Sequence, residues 1–265
     1  MNRVMIHDLR SILDGWEYEP GKISVRKIIG RDGREKLQTR VDLGLLQLEI
    51  AGRPDGLRPH GCESFLDFIE QRLRQHAAGR GKGAPDEGFT ISAEECRELR
   101  HEAHLFYQRF LSLFVLEDFE GVERDTSHNL RIFELCRRYA VSDGDRGALE
   151  GQRPYVIMMN VRAQTYAALK RREYEAASAR VEDGLLRLRA SGEEESGGWG
   201  GAGDDRPELK VLAALRREVL ERMPPDAAPR LRWELETALE REDYERAAQL
   251  RDRLSNSRSQ HPPAA

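Results

Sequence analysis

The feature that most constrains the fold is a helical periodicity close to the C-terminus. Asp226 and Pro229 precede it, as expected for a helix N-cap and a first helical turn. The apolar residues then follow an i, i+4, i+7, i+8 spacing, which is one stripe of a helix: Leu231, Leu235, Ala238 and Leu239. Asp243 is expected to cap a second helix, whose apolar set is Tyr244, Ala247, Ala248 and Leu254, with Leu250 at its margin. The pattern predicts two short helices folded back on each other.

The segment from Leu231 to Leu254 resembles the UVR motif. That motif occurs at the ends of the B and C subunits of bacterial excision nuclease and in adaptors of Clp-type proteases, where it mediates protein contacts. The resemblance implies a bacterial protein that docks a partner through its C-terminal hairpin. The metal-binding Cys-x-x-Cys pairs of those adaptors, and the helicase or nuclease domains of those subunits, are absent from this sequence.

A helical hairpin of this length needs something to pack against. Isolated helices below about 12–15 residues are marginal in water, so the hairpin packs on the rest of the chain, on a second copy or on another protein. Trp233 lies roughly opposite the Leu231–Leu235 stripe by helical geometry. It either contacts a partner or packs on the chain's own body. The predicted protein-binding residues are Trp233, Tyr244, Arg251 and Asp252.

The composition describes a chain with a heavily charged surface and small cores. Its 265 residues are 39% hydrophobic and 34% charged, enough for one large or two small domains. The net charge of −4 argues against a protein dedicated to coating nucleic acid. No apolar run approaches 18 residues, so no membrane partner is expected. Three widely spaced cysteines and no signal-peptide segment favour the cytoplasm.

The distribution of patterns predicts an α+β fold that is mostly α. Alternating, β-branched runs at 23–29, 37–41 and 43–50 predict strands, with Asp32-Gly33 as a hairpin turn. Helices are expected over 4–13, 62–76, 119–139, 155–190 and 209–223, and from Ser92 to Leu116 behind a Ser92–Glu95 capping box. The predicted order is a β-containing module (1–76), a linker (77–90), a helical body (91–190), a Gly-rich acidic disordered linker (191–208), a helix and the hairpin (209–256), and a frayed tail (257–265).

A weak repeat links the helical segments. The stretches 118–122, 173–177 and 243–247 each contain an acid, an aromatic, two spacers of which the first is Glu, and a small or β-branched residue. Each stretch lies where one helix ends and the next begins, which resembles the turn of a tetratricopeptide (TPR) hairpin, best over 163–185. The copies are 55 and 70 residues apart, whereas a TPR array repeats every 34 or so. We therefore predict degenerate TPR-like hairpins with insertions.

No pattern predicts catalysis, a cofactor or a metal. The candidate metal ligands are His60, Cys62, Cys96, His101 and His104, but Cys-x-x-Cys is absent and the last two lack the i, i+4 spacing of a zincin helix. Whether His101 and His104 hold a metal at i, i+3 stays open. The run 79–83 lacks P-loop spacing, and Cys136 has no His and acid placed beside it. A non-enzymatic protein is expected.

The strongest electrostatic feature is a basic ribbon formed by the first two strands. Residues 22–40 carry seven cations against two carboxylates, and such a ribbon is able to follow phosphates. The candidate nucleic-acid residues are Arg26, Lys27, Arg34, Lys36 and Arg40, whereas the aromatics Trp16 and Tyr18 lie just before the strands. The other interpretation is a solvated strand face whose charges protect an edge. The loop 52–61 is a second candidate binding element.

Together these patterns favour a non-enzymatic adaptor or scaffold. It would dock partners through the hairpin and the helical body. The alternative is a nucleic-acid-associated accessory protein, linked to DNA excision repair through the same hairpin and using the ribbon. Binding that weakens steeply with salt would favour the alternative.

Overall fold

The computed structural model describes residues 9–79, 86–195 and 205–260, except for the side chains of 192–195 and 256–260. The chain forms two compact units, Met1–Arg153 (unit 1) and Pro154–Ala265 (unit 2). The mostly helical α+β fold predicted from the sequence is confirmed. Parts of the predicted first helix, of the linker 77–90, of the linker 191–208 and of the tail lie outside the described residues.

Unit 1 begins with a three-stranded antiparallel sheet. Its strands are β1 (Ser24–Ile29), β2 (Glu35–Val41) and β3 (Gly44–Glu49), in the order β1-β2-β3. At the predicted Asp-Gly turn, the Gly30 N–H donates to Arg34 O over 2.8 Å and the Gly33 N–H to Gly30 O over 3.0 Å. Gly33 has a φ of 75°, a conformation that glycine adopts at low cost. The turn therefore forms where the sequence placed it.

The helices of unit 1 are α1 (Arg10–Leu13), α2 (Phe65–Ala78), α3 (Ala93–Val115), α4 (Phe119–Tyr139) and α5 (Asp143–Gly147), with 3-10 turns at Pro59–Gly61 and Glu150–Gln152. The predicted capping box is present, because the Ser92 side chain accepts from the Glu95 N–H and the Glu95 carboxylate accepts from the Ser92 N–H. Helices α3 and α4 pack on each other as a hairpin, and α3 contacts β1 and β2. Thr39 of β2 and Ser112 of α3 share a buried hydrogen bond of 2.6 Å.

The core of unit 1 contains charged groups as well as apolar ones. Arg109 on α3 is fully buried and forms two bonds, of 2.6 and 2.8 Å, to the Asp125 carboxylate on α4. Its Nη1 also donates to the carbonyls of Glu49 (2.9 Å) and Gly52 (2.7 Å), so one guanidinium joins α3, α4 and the loop after β3. Buried Glu102 accepts from the N–H groups that begin α2. The sheet is thus part of one unit with the α3–α4 hairpin.

The described residues of unit 2 form helices joined by turns, without strands. The helices are α6 (Arg153–Lys170), α7 (Tyr174–Glu195), α8 (Pro207–Arg222), α9 (Ala228–Glu240) and α10 (Tyr244–Gln260). Helices α6 and α7 approach closely at Gly184. A Cβ atom at this position would lie only 2.6 Å from Val161 Cγ2, so a larger residue would not fit without a shift. Helix α7 continues to Glu195, so the first five residues of the predicted disordered linker, 191–195, are helical. The extension contains Gly192, a weak helix former, but also three consecutive glutamates at 193–195, which favour a helix.

The division between the units differs from the predicted domains. It falls at Arg153–Pro154, inside the body predicted at 91–190. Contacts such as Thr39–Ser112 and Arg109–Glu49 attach the predicted β-containing module to α3. A sequence pattern shows where helices lie, but not which neighbour their buried polar groups contact.

The three turns identified as a weak repeat share one backbone geometry. The residue before the acid has a positive φ in each: Glu117 (54°), Arg172 (59°) and Glu242 (58°). The acid donates its N–H to the carbonyl five residues back, over 2.9–3.0 Å: Asp118 to Leu113, Glu173 to Ala168 and Asp243 to Ala238. This closure is that of a Schellman motif. The turns are therefore equivalent, while the TPR assignment itself stays a prediction.

Candidate functional site

The C-terminal hairpin of α9 and α10 is held together by a small apolar seam. Its buried members are Leu231, Ala238, Ala247 and Leu250, with Leu235 and Leu254 packed against them. Leu250 is fully buried, whereas the sequence placed it at the margin. Asp243 caps α10 by accepting from the Arg246 N–H over 3.0 Å. This cap aligns residues 247, 250 and 254 on the inner face, at i, i+3 and i+7.

Three residues expected in the seam lie outside it. Leu239 is 50% exposed and Tyr244 is 68% exposed. Ala248 is also exposed. By helical geometry these residues project to the same side of the antiparallel pair, together with Arg251. We call this surface, made of Leu239, Tyr244, Ala248 and Arg251, the outer flank.

Trp233 lies on a different side of α9. It is half-buried and lines a groove of about 320 Å³ with Ala179 of α7 and Leu220 of α8. Carboxylates and guanidiniums line the same groove, including Glu182, Arg216 and Glu236. The structure therefore places Trp233 against the chain's own helices, one of the two alternatives left by the sequence.

The other two predicted hairpin residues form an exposed pair. The Arg251 Nε and Asp252 Oδ1 atoms are 3.8 Å apart, and both side chains are about three-quarters exposed, at 73% and 75%. An exposed pair of this kind adds little stability, typically below about 1 kcal/mol. Of the four predicted protein-binding residues, Tyr244, Arg251 and Asp252 thus face solvent in unit 2, and Trp233 is half-buried.

The cations of the basic ribbon are largely engaged inside unit 1. Arg26 stacks on Trp16, with 4.1 Å from Cζ to the ring centroid, and its Nε donates to Gln38 over 2.8 Å. Arg40 lies 5.2 Å from the ring centroid of Tyr18. Thus the two aromatics expected beside the ribbon cover two of its arginines, Arg26 and Arg40.

The remaining ribbon cations differ in their contacts. Lys36 bonds to Glu49 and lies 3.0 Å from Asp32, and these two contacts, in that order, raise the pKa of Lys36. Lys27 lies 3.9 Å from Asp118 of α4. Arg34 is exposed, and its side chain, like that of Arg31, has no ion-pair partner among the described residues. The cations still available to a polyanion therefore concentrate at the hairpin turn.

The loop 52–61 is ordered and strongly constrained. Four of its residues have positive φ, including the non-glycine His60 at 52°. Arg53 inside the loop is buried and lies 3.4 Å from Glu102. The His60 ring stacks on Phe68 at 4.0 Å between centroids. These contacts fix the loop, and nothing in them selects a ligand.

The candidate metal ligands do not form one cluster. In the parts of the chain that the structure describes, no three His, Cys, Asp or Glu side chains are grouped to hold a metal. His101 and His104 are exposed, whereas Cys96 is buried. Burial, followed by the neighbouring Cys96, raises the pKa of Cys136 to about 12. A thiol with that pKa is a weak nucleophile at neutral pH.

Comparison with known proteins identifies one segment. Residues 229–260 match the family model UVR, described as the UvrB/uvrC motif. The predicted UVR motif is thus confirmed at the C-terminus. It marks the hairpin as a module for contacts with protein or DNA. No curated protein and no solved structure matches the chain. None of the described helices is long and apolar enough to span a membrane.

Proposed function

We propose that the protein is a non-enzymatic adaptor or scaffold of the bacterial cytosol that docks a partner protein through the outer flank of its C-terminal hairpin. The observation that carries the proposal is the position of Tyr244. It is 68% exposed on a hairpin whose seam closes without it. A large aromatic that the fold does not bury is a candidate contact for another protein.

The neighbours of Tyr244 support the same use. Leu239, half-exposed, extends the apolar surface across the turn, and Arg251 provides a cation at its border. Tyrosine and arginine are the residue types over-represented among the strongest contacts of protein interfaces. The half-buried Trp233, on another side of α9, supports the hairpin from the chain's own helices.

The test is a capture experiment from native cytosol with three baits. The wild-type chain is compared with a Leu239→Ser/Tyr244→Ser double variant and with Leu186→Ser as the control. Leu186 is 65% exposed on α7, so Leu186→Ser removes an exposed apolar side chain from unit 2 outside the hairpin. A partner that docks on the outer flank is retained by wild type and control. Its affinity for the double variant, measured with purified components, falls by about tenfold or more.

A chain truncated after Pro225 completes the design. If the truncated chain loses the partner but the double variant retains it, the docking site lies on another face of the hairpin. Retention by every bait would exclude the hairpin altogether and end the proposal.

A second candidate function is nucleic-acid association linked to excision repair. The observation that favours it is the pair of exposed side chains, Arg31 and Arg34, at the ribbon turn. Binding of a duplex oligonucleotide would weaken steeply between low and moderate salt, and Arg31→Glu/Arg34→Glu would abolish it. Docking through the outer flank would change little with salt, because its main contacts are apolar.

A further inference from the structure

The two edges of the sheet in unit 1 differ in their hydrogen bonding. The register pairs Ser24 with Arg40 and Arg26 with Gln38, and the Gly30 N–H bonds to Arg34 O in the same register. Because hydrogen-bonded pairs alternate along antiparallel strands, the even-numbered residues of β1 bond to β2. The N–H and C=O groups of Val25, Lys27 and Ile29 therefore point outward from the sheet.

These outward groups of β1 have no hydrogen-bond partner among the described residues. At the opposite edge, the outward backbone groups at the end of β3 are already hydrogen-bonded. The Glu49 N–H donates to Pro54 O over 2.8 Å, and Glu49 O accepts from Arg109 over 2.9 Å. The loop after β3 and one buried arginine thus occupy part of that edge, while β1 presents three donors and three acceptors in a row.

The β1 edge is apolar at both ends, and cations outnumber carboxylates along it. Ile23 is 47% exposed and Ile29 is 66% exposed, on the same face of the strand by two-residue alternation. Residues 22–34 contain five cations and a single carboxylate, Asp32. Lys22 is paired with Glu19 and Lys27 lies 3.9 Å from Asp118, so the exposed cations without an ion-pair partner among the described residues are at the turn. Arg31 and Arg34 have exposed side chains at one end of the strand, and Lys27 is 41% exposed at its centre. An acidic chain fits this surface better than a basic one.

We propose that the β1 edge binds an extended acidic segment of a partner protein, which adds to the sheet as a fourth strand. Its backbone pairs with the outward groups of Val25, Lys27 and Ile29. Apolar side chains at alternate positions cover Ile23 and Ile29, and carboxylates face the surrounding cations. A nucleic acid offers only acceptors at its phosphates, so it would leave the three outward carbonyls unpaired.

The experiment uses the full chain and a synthetic ten-residue peptide that alternates Val and Glu, capped at both ends. A Val–Lys peptide of the same length controls for charge. Expected results are saturable binding of the Val–Glu peptide only, and amide exchange at Val25, Lys27 and Ile29 slowed by about tenfold or more in the complex. The amides of Leu45 and Gln47 on β3 report the opposite edge and stay unchanged.

The variant Val25→Pro tests the β1 edge without disturbing the β1–β2 pairing. It removes an outward N–H that the β1–β2 ladder does not use, and proline is tolerated on edge strands at such positions. The expected affinity for the Val–Glu peptide falls by about tenfold or more. Leu45→Pro makes the same change at an outward position of β3, and its affinity stays within about twofold of wild type. Unchanged amide spectra of α3 and α4 in both variants verify the fold.

Four outcomes would overturn the proposal. The Val–Glu peptide fails to bind wild type at millimolar concentration, or it binds Val25→Pro as tightly as wild type. Concentration-dependent self-association that Val25→Pro removes would identify a second copy of this chain as the occupant. Competition by oligothymidylate, with no protection of the three amides, would identify a polyanion site.

Discussion

The α3–α4 turn of unit 1 and the α9–α10 turn of unit 2 have the same backbone bonds but use their aromatic residues in opposite ways. Phe119 is 6% exposed in the first, and Tyr244 is 68% exposed in the second. Both turns close with the same positive-φ residue and the same N–H to carbonyl bond. The comparison shows that the turn does not require a buried aromatic. Tyr244 is therefore available for another purpose.

The seams of the two hairpins differ as well. Helices α3 and α4 bury large side chains such as Phe110 and Phe133, and the buried ion pair of Arg109 and Asp125 joins them. The α9–α10 seam buries two alanines and two leucines. A seam of small residues gives less burial free energy, at roughly 25 cal/mol per Å². The C-terminal hairpin is thus expected to be the less stable of the two.

The largest expected difference comes from removing one acid in each hairpin. Asp125→Ala leaves the buried Arg109 guanidinium unpaired and should lower the stability of unit 1 by about 3–5 kcal/mol. Glu234→Ala breaks the partly exposed pairs with Arg230 (2.9 Å) and Arg246 (3.4 Å), at a cost below about 1 kcal/mol. Hydrogen exchange of α4 and α10 amides in urea separates the two effects. Equal losses would mean that the hairpins do not differ in this way.

The aromatic residues themselves provide the second test. Phe119→Ala removes a ring packed against Phe114 at 5.8 Å and should cost about 3 kcal/mol, because it opens a cavity. Tyr244→Ala should change stability by no more than about 0.5 kcal/mol. Urea midpoints of each unit, followed by hydrogen exchange, measure both. A cost above about 2 kcal/mol for Tyr244→Ala would show that its ring supports the hairpin, and would weaken the docking proposal.

Acid should affect unit 1 through Glu102. Burial alone would raise the pKa of Glu102, but bonds from His128 and from the Leu66 and Phe65 N–H groups outweigh it, so the pKa lies below its usual value. A lowered folded-state pKa means stability that is present above the unfolded pKa, about 4.3, and is lost as pH falls through the folded pKa. Glu102→Gln should cost roughly 1–3 kcal/mol at pH 7. Unfolding curves from pH 7 to 3 should show the gap to wild type closing below about pH 4. A gap independent of pH would contradict this account.

The smallest effect has the opposite sign. Glu242→Gly places glycine at the positive φ of 58° that closes the α9–α10 turn, and should stabilise the hairpin by about 0.5–1 kcal/mol. Glu240→Gly, at the last residue of α9, should instead destabilise it by up to about 1 kcal/mol. Thermal unfolding of the pair measures the contrast. If Glu117→Gly in the α3–α4 turn behaved differently, the equivalence of the turns would fail.

Much of this architecture follows from local signals. The capping box at Ser92, the Asp-Gly turn and the C-terminal periodicity predict the corresponding elements because each rests on interactions within a few residues. Assignment of Leu250 to the margin of its helix was wrong, because Tyr244 and Ala248, which are exposed, were counted in the apolar face and shifted its expected centre away from Leu250. Tyr244 has the same pattern as Phe119, and only tertiary packing distinguishes them.

The buried charges of unit 1 were missed although a signal existed. Glu102, Phe106 and Arg109 follow the i, i+4, i+7 spacing of the apolar stripe of α3. Charged residues on such a stripe indicate buried partners, here His128 at 3.0 Å and Asp125 at 2.6 Å. The identity of those partners could not be predicted, because it depends on α4 and on the loop after β3. The free β1 edge could not be predicted either. Which residues of β1 point their N–H and C=O groups outward depends on the register of β1 against β2.

The backbone hydrogen bonds of Glu49 also limit how this protein is able to assemble. A sheet that extends at both edges adds copies without limit and forms fibrils. Here the N–H and C=O of Glu49 are already bonded, so the free edge of β3 is reduced to the outward groups of Leu45 and Gln47, and growth by strand pairing is favoured at β1. Two chains meeting through β1 would use up the longer free edge of each and form a closed pair with two-fold symmetry. The bonds of Glu49 to Pro54 and Arg109 thus favour a finite complex over an open-ended filament.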